Sequence, residues 1–215
     1  MFYSIQHPGL LTIPPPNGGT PAFGPDQGWF ENTWRADSGC GPVSASLIMA
    51  YLAFTQPHLR PLYIPESLTR PDWLIHMNTL FEFVTPGRMG VNKLPIYTDG
   101  VLSYAASRGV SLIPQAFDVP GVLLGKRKPS QELADFVAAG LASDTPIGLL
   151  VLSRGKESRL QHWHWITITS AEINGTDIQA HASDEGAEIS FDLQLWYTTT
   201  HLSGGLAYFA VSDHN

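Results

Sequence analysis

The chain has a single cysteine, in the segment Ser38-Gly39-Cys40-Gly41-Pro42-Val43-Ser44-Ala45-Ser46. It lies between two glycines, where the sequence pattern predicts that a helix begins. A lone cysteine closes no internal disulfide. At a helix start, the unpaired backbone N–H groups and the helix dipole favour a thiolate, which turns an inert thiol into a nucleophile. The plainer reading is a small side chain buried at a helix start, as free cysteines often are. A nucleophilic thiol needs a base or an ion-pair partner, and histidine is the usual one. Among the eight histidines, those in Gln161-His162-Trp163-His164-Trp165-Ile166-Thr167-Ile168-Thr169 stand out. Strict alternation there puts His162, His164, Ile166 and Ile168 on one strand face, and Trp163, Trp165, Thr167 and Thr169 on the other. A histidine at the start of a core strand can lean over a helix packed on that sheet. The plainer reading is a histidine hydrogen-bonded within the sheet.

Gly39-Cys40-Gly41-Pro42 opening a helix, followed by His164-Trp165-Ile166-Thr167-Ile168 on a strand, resembles the papain-like cysteine peptidases. The chain is most similar to the branch related to bacteriocin-processing (double-glycine leader) peptidases. Gly24-x-x-Gln27-x-Trp29-Phe30, leading to the cysteine motif, resembles uncharacterised bacterial members of that group. The likeness covers residues 24–54 and 160–186. It implies an α+β fold with a helical cysteine lobe preceding a β-sheet histidine lobe. It also implies a peptide or protein substrate, no cofactor, and roles for individual residues. Cys40 would attack a carbonyl carbon. His164 would take the thiol proton or pair with the thiolate, and would later protonate the leaving group.

In that family an Asp or Asn at the end of the next strand orients the histidine. Here that strand ends at His181-Ala182-Ser183-Asp184-Glu185-Gly186. If Asn174-Gly175 is a two-residue loop, His164 faces Glu185, Ser183 lies diagonal, and Asp184 sits on the wrong face. A three-residue loop with a bulge after Gly175 moves Asp184 onto the face of His164. The family pattern favours Asp184, which completes the expected triad, while the ideal register favours Glu185. The bland reading of these residues is a solvated turn. The oxyanion hole needs donors where negative charge develops, and the Cys40 N–H is one. The family adds a glutamine about six residues upstream of the cysteine. That position is Trp34 here, a departure from the pattern. Gln27 and Asn32 are the amides within reach, and Gln27 is preferred.

Three other readings use the same residues. His162-x-His164 with Cys40 could bind zinc, but the glycine-flanked helix start suits a nucleophile better, and no metal is expected. The same triad could serve an acyltransferase, transglutaminase or deamidase, since the acyl-thioester intermediate is shared. A non-catalytic papain-like binding module would fit the missing upstream glutamine, with Phe2, Tyr3, Trp29, Trp34, Trp196 and Tyr197 available for a partner surface.

The elements that must position these residues are legible in outline. Residues 1–31 read as an irregular Pro/Gly-rich arm with a short strand near Leu10–Ile13. Residues 41–54 form the clearest helix, with Pro42 in its first turn and Val43, Leu47, Tyr51 and Phe54 at helical spacing. Further helices are expected at Pro71–Phe83, at Thr98–Arg108 from near Asp99, and at Ser130–Leu141 from an imperfect capping box. Strands are expected at Val110–Phe117 and Pro146–Ser153, then His162–Ile173 and Thr176–Ala182 around the Asn174-Gly175 turn. Glu188–Trp196 and Gly205–Ser212 follow. Helices come first and strands last, which argues an α+β architecture. The expectation is a single papain-like domain, with the arm, a mainly helical lobe at 32–145 and a mainly β lobe at 146–215.

A net charge of −7 with no basic patch argues against a nucleic-acid partner. No apolar run is long enough to span a bilayer. The first eight residues lack the basic and apolar regions of a Sec signal. One cysteine fits a reducing compartment. The expectation is a bacterial-type cytoplasmic protein, with export by a route without a signal peptide left open.

Overall fold

Antiparallel pairing dominates the architecture seen in a computed structural model that describes residues 1–16 and 18–211. The strands are β1 (Phe2–Ser4), β2 (Thr12–Ile13), β3 (Ala22–Phe23), β4 (Leu112–Val119), β5 (Ile147–Val151), β6 (His164–Asn174), β7 (Asp177–Asp184), β8 (Ala187–Asp192) and β9 (Gly204–Val211). The helices are α1 (Thr33–Ser38), α2 (Cys40–Thr55), α3 (Arg70–Phe81), α4 (Leu94–Ser107), α5 (Ser130–Ala142) and α6 (Leu193–Thr199). A seven-stranded sheet runs in the order β4-β9-β5-β6-β7-β8, with β1 added against β6. β2 and β3 form a separate ribbon.

The sheet is buried on both faces. Leu150, Leu152, Trp165, Ala207 and Phe209 pack with α2, α3 and α4. Ile147, Leu149, Val151, Ile166, Ile168 and Leu206 pack with α5, α6 and part of α2. The continuous apolar run of β5 follows from this two-sided burial. Polar groups fix α2 on β6: Thr167 Oγ1 donates to Ser44 Oγ at 2.9 Å, and Ser44 shares a 3.1 Å hydrogen bond with the Tyr97 hydroxyl. Tyr97 stacks on Trp165 at 4.0 Å, and Trp165 Nε1 donates to Val91 O at 2.6 Å. Each buried bond of this kind nets about 1 kcal/mol, and losing one partner costs more.

Several elements differ from the sequence reading. The arm is tied to the body: β1 joins the sheet, and Ser183 Oγ donates to Phe23 O at 2.8 Å. Helix α1 was not expected, and Asn32 Oδ1 caps it by accepting from Arg35 N at 3.1 Å. Helix α4 begins at Leu94, with Pro95 in its first turn, rather than near Asp99. The capping box at Ser130 is unused: Pro129 is the N-cap, and Ser130 Oγ accepts from Gln194 Nε2 instead. The segment 188–196 divides into the end of β8 and the start of α6. Ser212, the end of the last expected strand, lies outside the described residues. Among the described residues no helix is long and apolar enough to cross a membrane.

Candidate active site

Cys40 is the first residue of α2, following the Gly39 cap. Both flanking glycines are required by packing. A Cβ on Gly41 would stand 2.8 Å from Val91 Cγ2, and one on Gly39 would meet the Phe30 ring at 2.7 Å. The thiol is therefore held at the helix mouth by close backbone approach, partly exposed.

His164 opens β6. Its Nε2 lies 2.6 Å from Asp184 Oδ1, and both side chains are 7 % exposed. A carboxylate only accepts, so Nε2 carries the proton, and Nδ1 is the ring nitrogen that Asp184 does not engage. Burial works against a charge on His164. The hydrogen bond to Asp184, together with the hydrogen bond and charge of Cys40, outweighs it and lifts the imidazole to about 10.

The register explains why Asp184 faces His164. The hairpin turn is Gly175-Thr176, since Asn174 pairs with Asp177. A β-bulge between Ile168 and Ser170 then shifts the pairing so that Thr167 opposes Ser183. Continued one step, this sets Asp184 opposite Ile166, on the face of His164. Without the extra residue Glu185 would take that place. Glu185 instead sits in the β7–β8 turn with φ 47° and accepts from Gln161 Nε2 at 3.3 Å. Ser183 is tied to Phe23.

The expected face-sharing of His162 and His164 does not hold. Trp163 has φ 56°, a left-handed residue that turns the chain into β6 and breaks the alternation. His162 is exposed and accepts from Arg154 N at 3.5 Å, so it does not join Cys40 and His164 in a ligand set. No cluster of three or more His, Cys, Asp or Glu suited to a metal exists among the described residues.

Gln27 lines the same narrow cavity as Cys40, His164 and Asp184. Its Oε1 is enclosed without a hydrogen-bond partner among the described residues. The arm carries it there: Gly24, with φ 78°, donates to Leu11 O at 2.7 Å, and Asp26 Oδ1 accepts from Gly28 N at 2.7 Å. Asn32 is exposed, and its side-chain oxygen caps α1. Trp34 is 51 % exposed and lies edge-on to Phe81.

A second cavity of about 440 Å³ opens on Cys40, walled by Trp34, Met89, Val91, Leu150, Leu152 and Trp163. Asp37 and Arg88 supply charge of both signs at its margin. Sequence reasoning missed the 87–91 wall. Its only signal is the Gly87-Arg88-Met89-Gly90 turn, closed by paired Gly87 and Gly90 bonds.

The arrangement of helices on a large antiparallel sheet matches the expected papain-like α+β fold. UfSP from C. elegans is similar over 98 % of this chain, with 9 % identity and a TM-score of 0.50. This chain spans 34 % of the length of the UfSP chain. The Pseudomonas avirulence protein AvrPphB aligns with 81 % of this chain and 93 % of its own, at 12 % identity and a TM-score of 0.37. No family model matches the sequence, and no curated protein does.

Proposed function

We propose that the protein is a cysteine-dependent hydrolase that cleaves a peptide or amide bond. The observation that carries the reading is the buried His164–Asp184 pair at 2.6 Å, with the imidazole lifted to about 10 partly by Cys40. In this reading the Cys40 thiolate attacks the carbonyl carbon and the carbonyl electron pair moves to oxygen. The Cys40 N–H and the Gln27 amide hold that oxyanion. The Nδ1 proton of His164 passes to the leaving nitrogen as the C–N bond breaks, which leaves an acyl thioester. Neutral His164 then takes a proton from water as it attacks, and the thiolate departs. Asp184 keeps the proton on Nε2 throughout. The cavity beside Cys40 gives a substrate side chain an apolar place to sit. Within the papain-like class we read the chain with the bacteriocin-processing peptidase-like branch, on the Gln27 and Cys40 motifs. The lone cysteine supports a cytoplasmic setting.

The test is hydrolysis of a mixed peptide library, read by mass spectrometry. Cleavage by the wild type that disappears in Cys40→Ala is expected. Equal product from both proteins, or from neither, overturns the reading.

A further inference from the structure

Exposed apolar side chains gather at one end of the sheet. The segment 120–129 between β4 and α5 carries Val122, Leu123 and Leu124, which are 62, 94 and 77 % exposed. Leu202, 38 % exposed, stands next to them. Val122 N donates to His201 O and Gly121 N to Ser203 Oγ, each at 3.2 Å. Single exposed leucines are ordinary. Three apolar residues in succession on a loop crest, joined by a fourth from a neighbouring turn, form a patch that calls for a partner. The crest stands on a braced base: the Arg127 guanidinium donates to Pro120 O, Tyr197 O and Thr200 O, and the Tyr197 hydroxyl donates to Lys128 O at 2.7 Å.

Cations lie at the same end of the sheet. Lys126 follows it directly and is exposed. Exposed Arg154 and Lys156 come from the β5–β6 connection, where Lys156 N donates to Thr199 Oγ1 at 2.8 Å. None of the three is in an ion pair among the described residues. Of the nearby acidic groups, Glu132 pairs with Lys128, Glu157 is buried against Arg159, and Asp118 alone is exposed and unpaired among the described residues. Three exposed cations without an ion-pair partner among the described residues thus stand at this end of a chain whose net charge is −7.

We propose that this end of the molecule docks on an anionic lipid bilayer, with Leu123 and Leu124 entering the headgroup boundary and Lys126, Arg154 and Lys156 lying at the phosphates. The composition favours lipid over a protein partner. Protein interfaces are depleted in lysine and enriched in aromatic residues, whereas this crest pairs leucines with lysine and has no aromatic side chain. The register sets the consequence. His164 pairs with Val151, Val151 with Gly204, and Gly204 with Val119, so the crest rises from the same sheet end as the candidate active site. Docking turns that end toward the membrane.

Co-sedimentation with vesicles of phosphatidylcholine, with and without phosphatidylserine, tests the proposal and does not use the hydrolase activity. Binding is expected on the anionic vesicles alone, and added salt should weaken it. Leu123→Ser with Leu124→Ser should cut binding about tenfold or more. Each of Lys126→Ala and Lys156→Ala should cut it about fivefold. All four side chains are exposed, and circular dichroism checks that the variants keep the fold. No binding to anionic vesicles, equal binding to both vesicle types, or variants that bind like the wild type would overturn the proposal. A loop that captures another protein but no vesicle would also overturn it.

Discussion

Asp184 Oδ1 accepts from His164 Nε2 at 2.6 Å, inside a wall of side chains that leaves each partner 7 % exposed. That bond fixes the ring and engages Nε2, so Nδ1 is the nitrogen that the proposed reaction assigns to Cys40. Together with the hydrogen bond and charge of Cys40, it opposes the effect of burial and lifts His164 to about 10.

Replacing the carboxylate with an amide tests this bond in two ways. Asp184→Asn should lower kcat by about a hundredfold or more, because the wrong tautomer becomes accessible. It should also change the dependence of stability on pH. The imidazole titrates near 6.5 when unfolded and near 10 when folded, so the folded state favours its protonated form. The stabilisation is complete below the lower value and fades as pH rises through the higher one. The Tm of the wild type should therefore exceed that of Asp184→Asn most at acidic to neutral pH, and the gap should narrow toward pH 10. A gap that widens with rising pH would contradict the assignment.

Gln27 and Asn32 differ in placement, the one lining the cavity with Cys40 and the other capping α1. Gln27→Ala should lower kcat by about a hundredfold or more with little change in KM, as expected for a donor that acts on the oxyanion. Asn32→Ala removes the cap of α1 and should cost about 1 kcal/mol of stability, with kcat unchanged. Steady-state kinetics and urea melts on the two variants read both outcomes.

Gly41→Ala would push a Cβ to within 2.8 Å of Val91 Cγ2. Val91 also walls the larger cavity, and its carbonyl holds Trp165 Nε1. The substitution should destabilise the protein by about 1–3 kcal/mol and raise KM for peptides with a bulky apolar side chain. Denaturant midpoints and a substrate series measure the two effects.

The cysteine helix and the central strand were legible because burial leaves periodic apolar patterns, as at Val43, Leu47, Tyr51 and Phe54. Cys40 and His164 were legible because each stands at the start of a strongly patterned element. The bulge at Ile168–Ser170 was not, since nothing in the local sequence marks an extra residue in a long strand. It decides whether Asp184 or Glu185 faces the histidine. The left-handed Trp163 was equally hidden, because tryptophan gives no signal for positive φ, and a period-2 count placed His162 wrongly as a result. The arm's attachments were hidden because Pro and Gly suppress regular patterns even where, as at Gly24 and Asp26, the chain follows a fixed path to Gln27.

The central claim is that Cys40 and His164 act as a pair, and the rate of Cys40 alkylation by iodoacetamide near neutral pH tests it most directly. The account predicts alkylation faster than that of free cysteine, slowed by His164→Ala and unaffected by His162→Ala. A rate equal to that of free cysteine, with no response to His164→Ala, would contradict it.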